Sequence, residues 1–438
     1  MADAPDCDIL VVGAGILGVT TAYWLSGLYD CRITLVDLAR SAGSHTSARN
    51  TGVIHRPYYL DPAKKRAFAR TALLSHGLWM SLADAEGLPW SPVGTYNVAV
   101  EEHEIRTLER YRAWGVENGM GEDEMGLLDG NEVRSREPEI ACRGALFSKT
   151  DVSVDFHAFT RSVWRRAIAR GVRFLPGREL TSVSRKEGLT RAVFRQHGSA
   201  SSVSSRLLVN AAGGGALAIA HAAGFAARFA ALHFRGEYWA VDEPYASKVT
   251  SNVYRPPEFP QYPFLDPHFV VRADGSRHIG PNAVVVPGPY VYSGAGLSAL
   301  PRFLERPVEP KARLFVNSDF LSLVVGEWQS SLSKRAMCAR VKRFVPGLNP
   351  SMLNGRAVFG VRSSVVDRSG FVSEALLFKG EGSVHIVNYN SPGATGAPAF
   401  SAMVVKELQD GGYLDGFRPR AASDQIPGWD FHAVASRL

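Results

Sequence analysis

Three glycines in Gly13-Ala-Gly15-Ile-Leu-Gly18 stand at a spacing that lets backbone approach a pyrophosphate closely. The first serves a tight turn, the second leaves room for the phosphates, and the third lets a helix pack on a strand with the anion at its N-terminus. Asp37, nineteen residues after Gly18, is spaced to accept hydrogen bonds from a ribose 2′-hydroxyl. Ile9 to Val12 before the glycines, Val19 to Leu28 after them and Arg32 to Val36 before the acid read as strand, helix and strand, with Ile16, Leu17 and Leu38 flanking the ligand positions. The uncharged run Ile9 to Leu28 is twenty residues long, enough on hydropathy alone to cross a bilayer. The turn inside it and the acid beyond it favour a dinucleotide site instead. Its place at the start of the chain and the loop after Asp37 favour FAD over NAD.

The elements that must hold this site follow from the rest of the chain. After Asp37 comes a polar stretch, Ser41 to Gly52, too long for a tight connection; it reads as a ligand-binding loop, with Ser44, His45, Arg49, Asn50, Thr51, Gly52 and Val53 as contact candidates. Asp61 as N-cap and Pro62 at the first position predict a helix with Phe68, Leu73, Leu74, Leu78 and Leu82 in its buried stripe. Alternation predicts strands within 89–100, and charges at helical spacing predict a solvated helix over 101–118. A helix is expected over 155–170, then strands at 173–175 and 180–183, with Val183 a further contact candidate. Leu207 to Gly215 reads as a strand entering a glycine turn, which would bring Ala211, Ala212 and Gly213 to the cofactor. Residues 236–286, rich in aromatic and β-branched types broken by prolines, predict an antiparallel sheet. Glu327 to Phe344 predicts one basic helix. Asn388 to Pro398 is a last glycine-rich loop before a helix, offering Asn390, Pro392, Gly393, Ala394 and Thr395.

The length, 438 residues, corresponds to roughly two to three domains. With 45% hydrophobic and 21% charged residues the chain is a folded globular one, which excludes disordered and collagenous classes. Its net charge of +7 is spread thinly, and its basic residues do not interleave with aromatics in a recognised module, so nucleic acid is not an expected partner. Contact with a membrane surface stays open. Cys7, Cys31, Cys142 and Cys338 form no metal-binding pairs, and the N-terminus carries acids where a secretory signal carries bases, so a cytoplasmic protein without metal is expected. Contact candidates fall at both ends and in the middle, so two interleaved domains are expected.

From about Asp8 to Leu408 the chain resembles the D-amino-acid oxidase-like flavoenzymes, and within them the L-2-hydroxyglutarate dehydrogenase/oxidase group. The resemblance is carried by Asn50-Thr-Gly-Val-Ile-His55 with Tyr58-Tyr59, Phe234-Arg-Gly-Glu-Tyr238, Pro263-Phe-Leu with His268, Asp274-Gly-Ser, Gly280-Pro-Asn-Ala283, Gly360-Val-Arg362 and Asn390-Ser-Pro-Gly-Ala-Thr395. It implies a mixed α/β fold in which a Rossmann-like FAD-binding domain (1–75, 145–222, 356–412) is interleaved with a substrate domain on a large antiparallel sheet (76–144, 223–355), followed by a tail at 413–438. The chain departs from the group at Arg56-Pro57, Asp266-Pro267, Gln329 and Ser363-Ser364, positions expected around the substrate pocket.

The resemblance also implies oxidation of a small carboxylate-bearing substrate, an L-2-hydroxy acid being the leading case; the electron acceptor, whether oxygen, a quinone or an electron carrier, is left open. Such chemistry needs a base for the hydroxyl proton and a cation for the carboxylate. His55 suits the base, and Arg362, which also counts as a cofactor contact, suits bidentate carboxylate pairing. Arg235 and Lys334 are further cation candidates for a second carboxylate, with Glu237 and His268 behind them. FAD is expected without a histidyl bond, although His45 and His55 both fall near the expected flavin ring. Oxidation of an amino acid or secondary amine, and non-catalytic flavin binding, are the competing readings.

Overall fold

The computed structural model describes residues 4–196, 198–264, 266–421 and 425–438. Leu265 of the Pro263-Phe-Leu stretch, residues 1–3 and residues 422–424 of the expected tail lie outside them. The apolar strand Cys7–Val12 is almost wholly buried, which suits the middle of a parallel sheet covered on both faces. It runs parallel to Ile33–Val36 on one side and to Ser199–Asn210 on the other. Arg173–Leu175 and Ser383–Val387 extend the parallel part at either flank. Glu179–Lys186, Leu189–Gln196 and the start of Ser199–Asn210 form an antiparallel extension. Helices Ile16–Leu28, Arg66–Glu86, Phe156–Ala169 and Gly393–Asp410 share one hydrophobic core against this sheet. The uncharged run is thus a strand, a turn and a helix, and among the described residues no helix is long and apolar enough to cross a membrane.

The second sheet has ten strands and is mostly antiparallel. Its longest pairing joins Ala230–Val241 to Leu353–Asp367, setting Phe234 opposite Arg362 and Gly236 opposite Gly360. Arg277–Gly280, His268–Val271 and Asn252–Tyr254 follow, and the last runs parallel to Thr95–Ala99, which leads on to Gly144–Ser148. This is the mixed α/β architecture expected. Chain divisions at 145 and 356 would cut Gly144–Ser148 and Leu353–Asp367, both strands of this second sheet, and a division at 75 would fall inside helix Arg66–Glu86.

Three helix expectations differ from what is found, the first being that the C-terminal helix starts at Gly393, inside the loop expected to run to Pro398. Asp61 Oδ1 accepts the N–H groups of Ala63 and Lys64 in a separate turn, and the helix proper starts at Arg66. The basic helix is two, Ser318–Leu332 and Lys334–Lys342, because Ser333 adopts an extended backbone and its hydroxyl accepts the Ala336 N–H as an N-cap. The C-terminal segment is not loose. Trp429 is fully buried, stacks on Trp24 with centroids 5.4 Å apart and donates to Leu78 O, while Arg418–Pro419 pairs with Tyr29–Asp30.

Candidate active site

A cavity of about 470 Å³ begins at the carboxyl ends of the parallel strands and continues beneath the second sheet, a usual ligand position in α/β folds. At its first end, Gly13 adopts φ +106, and a Cβ there would sit 2.5 Å from Ala211 O. A Cβ on Gly18 would meet Gly13 O at 1.8 Å, so Gly18 serves helix–strand packing and does not itself line the cavity. Gly15 does line it, together with Ile16 and Leu17 at the start of the helix. Asp37 accepts the Ala14 and Ala39 N–H groups, both at 2.6 Å, one on each carboxylate oxygen. Each oxygen keeps a further lone pair for a ribose hydroxyl, and burial pushes its carboxyl pKa upward. This turn, with no side chain at Gly13 or Gly15 and a carboxylate at Asp37, fits the adenosine diphosphate half of FAD.

The loop after Asp37 is pinned from the second sheet. Arg272 donates to Asn50 O and Thr51 O at 2.7 and 2.6 Å, and the Thr51 and Tyr238 hydroxyls are 2.7 Å apart. His45 bonds Tyr292 through Nδ1 at 2.9 Å, its Nε2 is buried with no partner among the described residues, and Arg49 lies over the Tyr292 ring at 4.4 Å. Burial draws the His45 pKa down, and the charge of the nearby Asp37 carboxylate opposes that shift. Ser44, Leu38, Gly52, Val53, Ala211, Ala212, Gly213, Asn390, Pro392, Gly393, Ala394 and Thr395 also line the cavity.

At the other end His55, Arg362 and His268 line the same space. His55 Nδ1 is 3.1 Å from Asp151 Oδ2, and its Nε2 lies 3.5 Å from the Tyr254 hydroxyl. Asp151 is fully buried and also accepts from Arg56 N, Thr95 Oγ1 and Ser148 Oγ. So many donors suit a charged carboxylate, which holds a proton on His55 Nδ1 and leaves Nε2 as the acceptor. The Thr395 hydroxyl accepts the His55 N–H at 3.2 Å, tying the first turn of the helix Gly393–Asp410 to this histidine. Arg362 donates to Pro263 O, and among the described residues no carboxylate is within ion-pair distance of it; burial draws its pKa down. His268 stacks on Tyr254 at 3.9 Å and donates from Nδ1 to Asp266 O; its Nε2 is buried with no partner among the described residues, and burial pulls its pKa to about 3. Phe234, Tyr238 and Phe264 add aromatic wall.

Besides Gly18, three expected site residues are elsewhere. Val183 points into the apolar cluster under the antiparallel extension, while Arg178, Glu179 and Leu180 reach the cavity. Arg235 is buried on the other side of its strand, bonded to Glu237 at 3.0 Å and to Gly294 O at 2.7 Å. Lys334 is exposed, with its ammonium 3.5 Å from Leu353 O. Of the departures from the group, Arg56 pairs with Glu124 and Asp266 with Arg340, both outside the cavity. Asp151, Tyr254 and the Tyr290–Tyr292 segment were not among the candidates. Nothing in the sequence links Asp151 to a histidine ninety-six positions away.

Known proteins give the same picture. An L-2-hydroxyglutarate dehydrogenase of Escherichia coli O17:K52:H18 is 28% identical over 404 residues, 92% of this chain and 93% of that protein. The mitochondrial L-2-hydroxyglutarate dehydrogenase of Caenorhabditis elegans is 28% identical over 417 residues, 92% and 94% of the two chains. The FAD-bound, dithionite-reduced L-α-glycerophosphate oxidase of Mycoplasma pneumoniae superposes with a TM-score of 0.71 at 22% identity, covering 97% of each chain. Glycine oxidase from Geobacillus kaustophilus gives 0.68 at 15% identity, covering 97% and 98%. The model of the DAO family, FAD dependent oxidoreductase, matches residues 8–407. With the dinucleotide cradle at one end of that match and the Asn390–Thr395 loop at the other, this chain belongs to the DAO family of FAD-dependent oxidoreductases.

Proposed function

We propose that the enzyme oxidises an L-2-hydroxy acid to the 2-oxo acid. The observation that carries this reading is that a carboxylate-free arginine, Arg362, and a histidine held by a buried aspartate, His55, face one cavity. Arg362 would hold the substrate carboxylate through its remaining N–H donors, and the aromatic walls would exclude water around the α-carbon. The hydroxyl proton would pass to His55 Nε2, while Asp151 stabilises the imidazolium formed. Bound FAD supplies the two-electron acceptor for the hydrogen on the α-carbon. His268, kept neutral by burial, offers Nε2 as a further acceptor toward the substrate. The likeness to proteins named L-2-hydroxyglutarate dehydrogenase supports a dicarboxylate.

A second reading, oxidation of an amino acid or secondary amine, is favoured by one observation. Arg235 and Lys334, the cations expected for a second carboxylate, do not face the cavity, and a monocarboxylate needs Arg362 alone. Anaerobic mixing of the holoenzyme with L-2-hydroxyglutarate, L-lactate, glycine and L-proline, watching flavin absorbance, separates the two. Bleaching by a hydroxy acid is expected. Bleaching by the amines alone would sustain the second reading, and no bleaching by any of them would defeat both.

A further inference from the structure

Among the described residues twelve large hydrophobic side chains are exposed, and eight of them lie between 300 and 332. Four form a stripe on helix Ser318–Leu332: Leu321, Val325, Trp328 and Leu332, at i, i+4, i+7 and i+11, with exposures of 42%, 56%, 37% and 77%. Leu304 at 66% and Val316 at 82% stand in the preceding turns. The opposite face of this helix is already packed, burying Phe320, Leu323 and Glu327. From Leu321 to Ser333 no charged residue is exposed, so this is not the polar outer face that a solvated helix presents. Exposed cations follow at once in the next helix, Lys334, Arg335, Lys342 and Arg343, the last paired with Glu101, while the exposed acids Glu305, Glu309 and Asp319 precede the stripe. The same stretch reaches the cavity, since Glu305, Arg306 and Lys311 line it.

We propose that this stripe, with the basic helix beside it, docks the enzyme on a membrane surface bearing anionic lipid headgroups. Aliphatic side chains with a tryptophan on one helix face and flanking lysines and arginines are what an interfacial helix needs: the apolar row enters the acyl boundary and the cations meet headgroup phosphates. A second copy of the chain is the alternative occupant, which the test below separates. Docking in this way sets the stretch that borders the cavity against the bilayer.

The test is co-sedimentation of the holoenzyme with phosphatidylcholine vesicles, with and without phosphatidylglycerol, at low and high salt. Binding is expected to the phosphatidylglycerol vesicles and to weaken with salt. Val325→Asp with Leu332→Asp should reduce partition at least about tenfold, one factor of ten being about 1.4 kcal/mol, while flavin content and flavin reduction by substrate stay as in the parent. Lys334→Glu with Arg335→Glu should remove the preference for phosphatidylglycerol. Absence of binding to either vesicle, binding indifferent to both variant pairs, or concentration-dependent self-association that the aspartates abolish would each overturn the proposal.

Discussion

Asp151 governs what His55 can do. Its carboxylate takes four donors and holds the imidazole so that Nε2 is the atom turned toward the Tyr254 hydroxyl. In Asp151→Asn the amide can offer an N–H to Nδ1, which favours the tautomer whose Nε2 carries the proton and cannot act as a base. We expect flavin reduction at saturating substrate to slow by roughly tenfold to a thousandfold, with the flavin still bound. His55→Ala should behave alike. Arg362→Lys keeps a cation but loses the planar fork, so it should weaken substrate binding by roughly tenfold to a hundredfold, equivalent to about 1.5–3 kcal/mol. Anaerobic stopped-flow traces resolved into a rate and an affinity check all three. Equal effects on both parameters in all three variants would mean the residues act only on structure. Gly15→Val tests the other end: a side chain in the phosphate cradle should leave a protein that folds but loses FAD on desalting, read as the ratio of visible to ultraviolet absorbance.

Among the elements, the segment after Val284–Val286 reaches from the second sheet across the dinucleotide end, where Tyr292 bonds His45 and carries Arg49 over its ring. Tyr292→Phe deletes one hydrogen bond and leaves the ring stacking. It should speed FAD dissociation by roughly threefold to tenfold, for about 0.5–1.5 kcal/mol, measurable by the rise in free-flavin fluorescence after dilution. An unchanged dissociation rate would remove this segment from cofactor retention. The glycine fingerprint was readable in the sequence because turn, helix start and acid lie within one short stretch whose geometry is local. The partner of His55 and the tyrosine strap were not, since each depends on a contact between distant strands and loops. Arg235 was misread for a reason internal to its strand. Side chains alternate, so Gly236 and Tyr238 line the cavity while Arg235 and Glu237, one step out of phase, meet on the far face. Lys334 was misread because a continuous basic pattern concealed the break at Ser333, which leaves it exposed at a helix start.

At the scale of the whole molecule, the C-terminal segment and the buried histidines bear on stability. Trp429 closes the hydrophobic core around Trp24 and Trp79, so Trp429→Ala should cost about 3–5 kcal/mol without changing flavin reduction in the fraction that stays folded. Three histidines are held neutral by burial: His268 at about 3, and His278 and His385 at about 4, against an ordinary value of 6.5. Between those values the unfolded chain binds protons that the folded chain refuses, so stability is complete above pH 6.5 and is lost as pH falls toward 4. Each histidine contributes about 1–2 kcal/mol of that loss between about pH 7.5 and about pH 5. Urea unfolding at the two pH values should therefore show a markedly lower midpoint at the acid one, and His278→Gln, remote from the proposed chemistry, should make the difference smaller by one histidine's share. A midpoint that does not move with pH would mean that these rings gain protons in the folded state, and the neutral acceptor role given to His268 would fall with it.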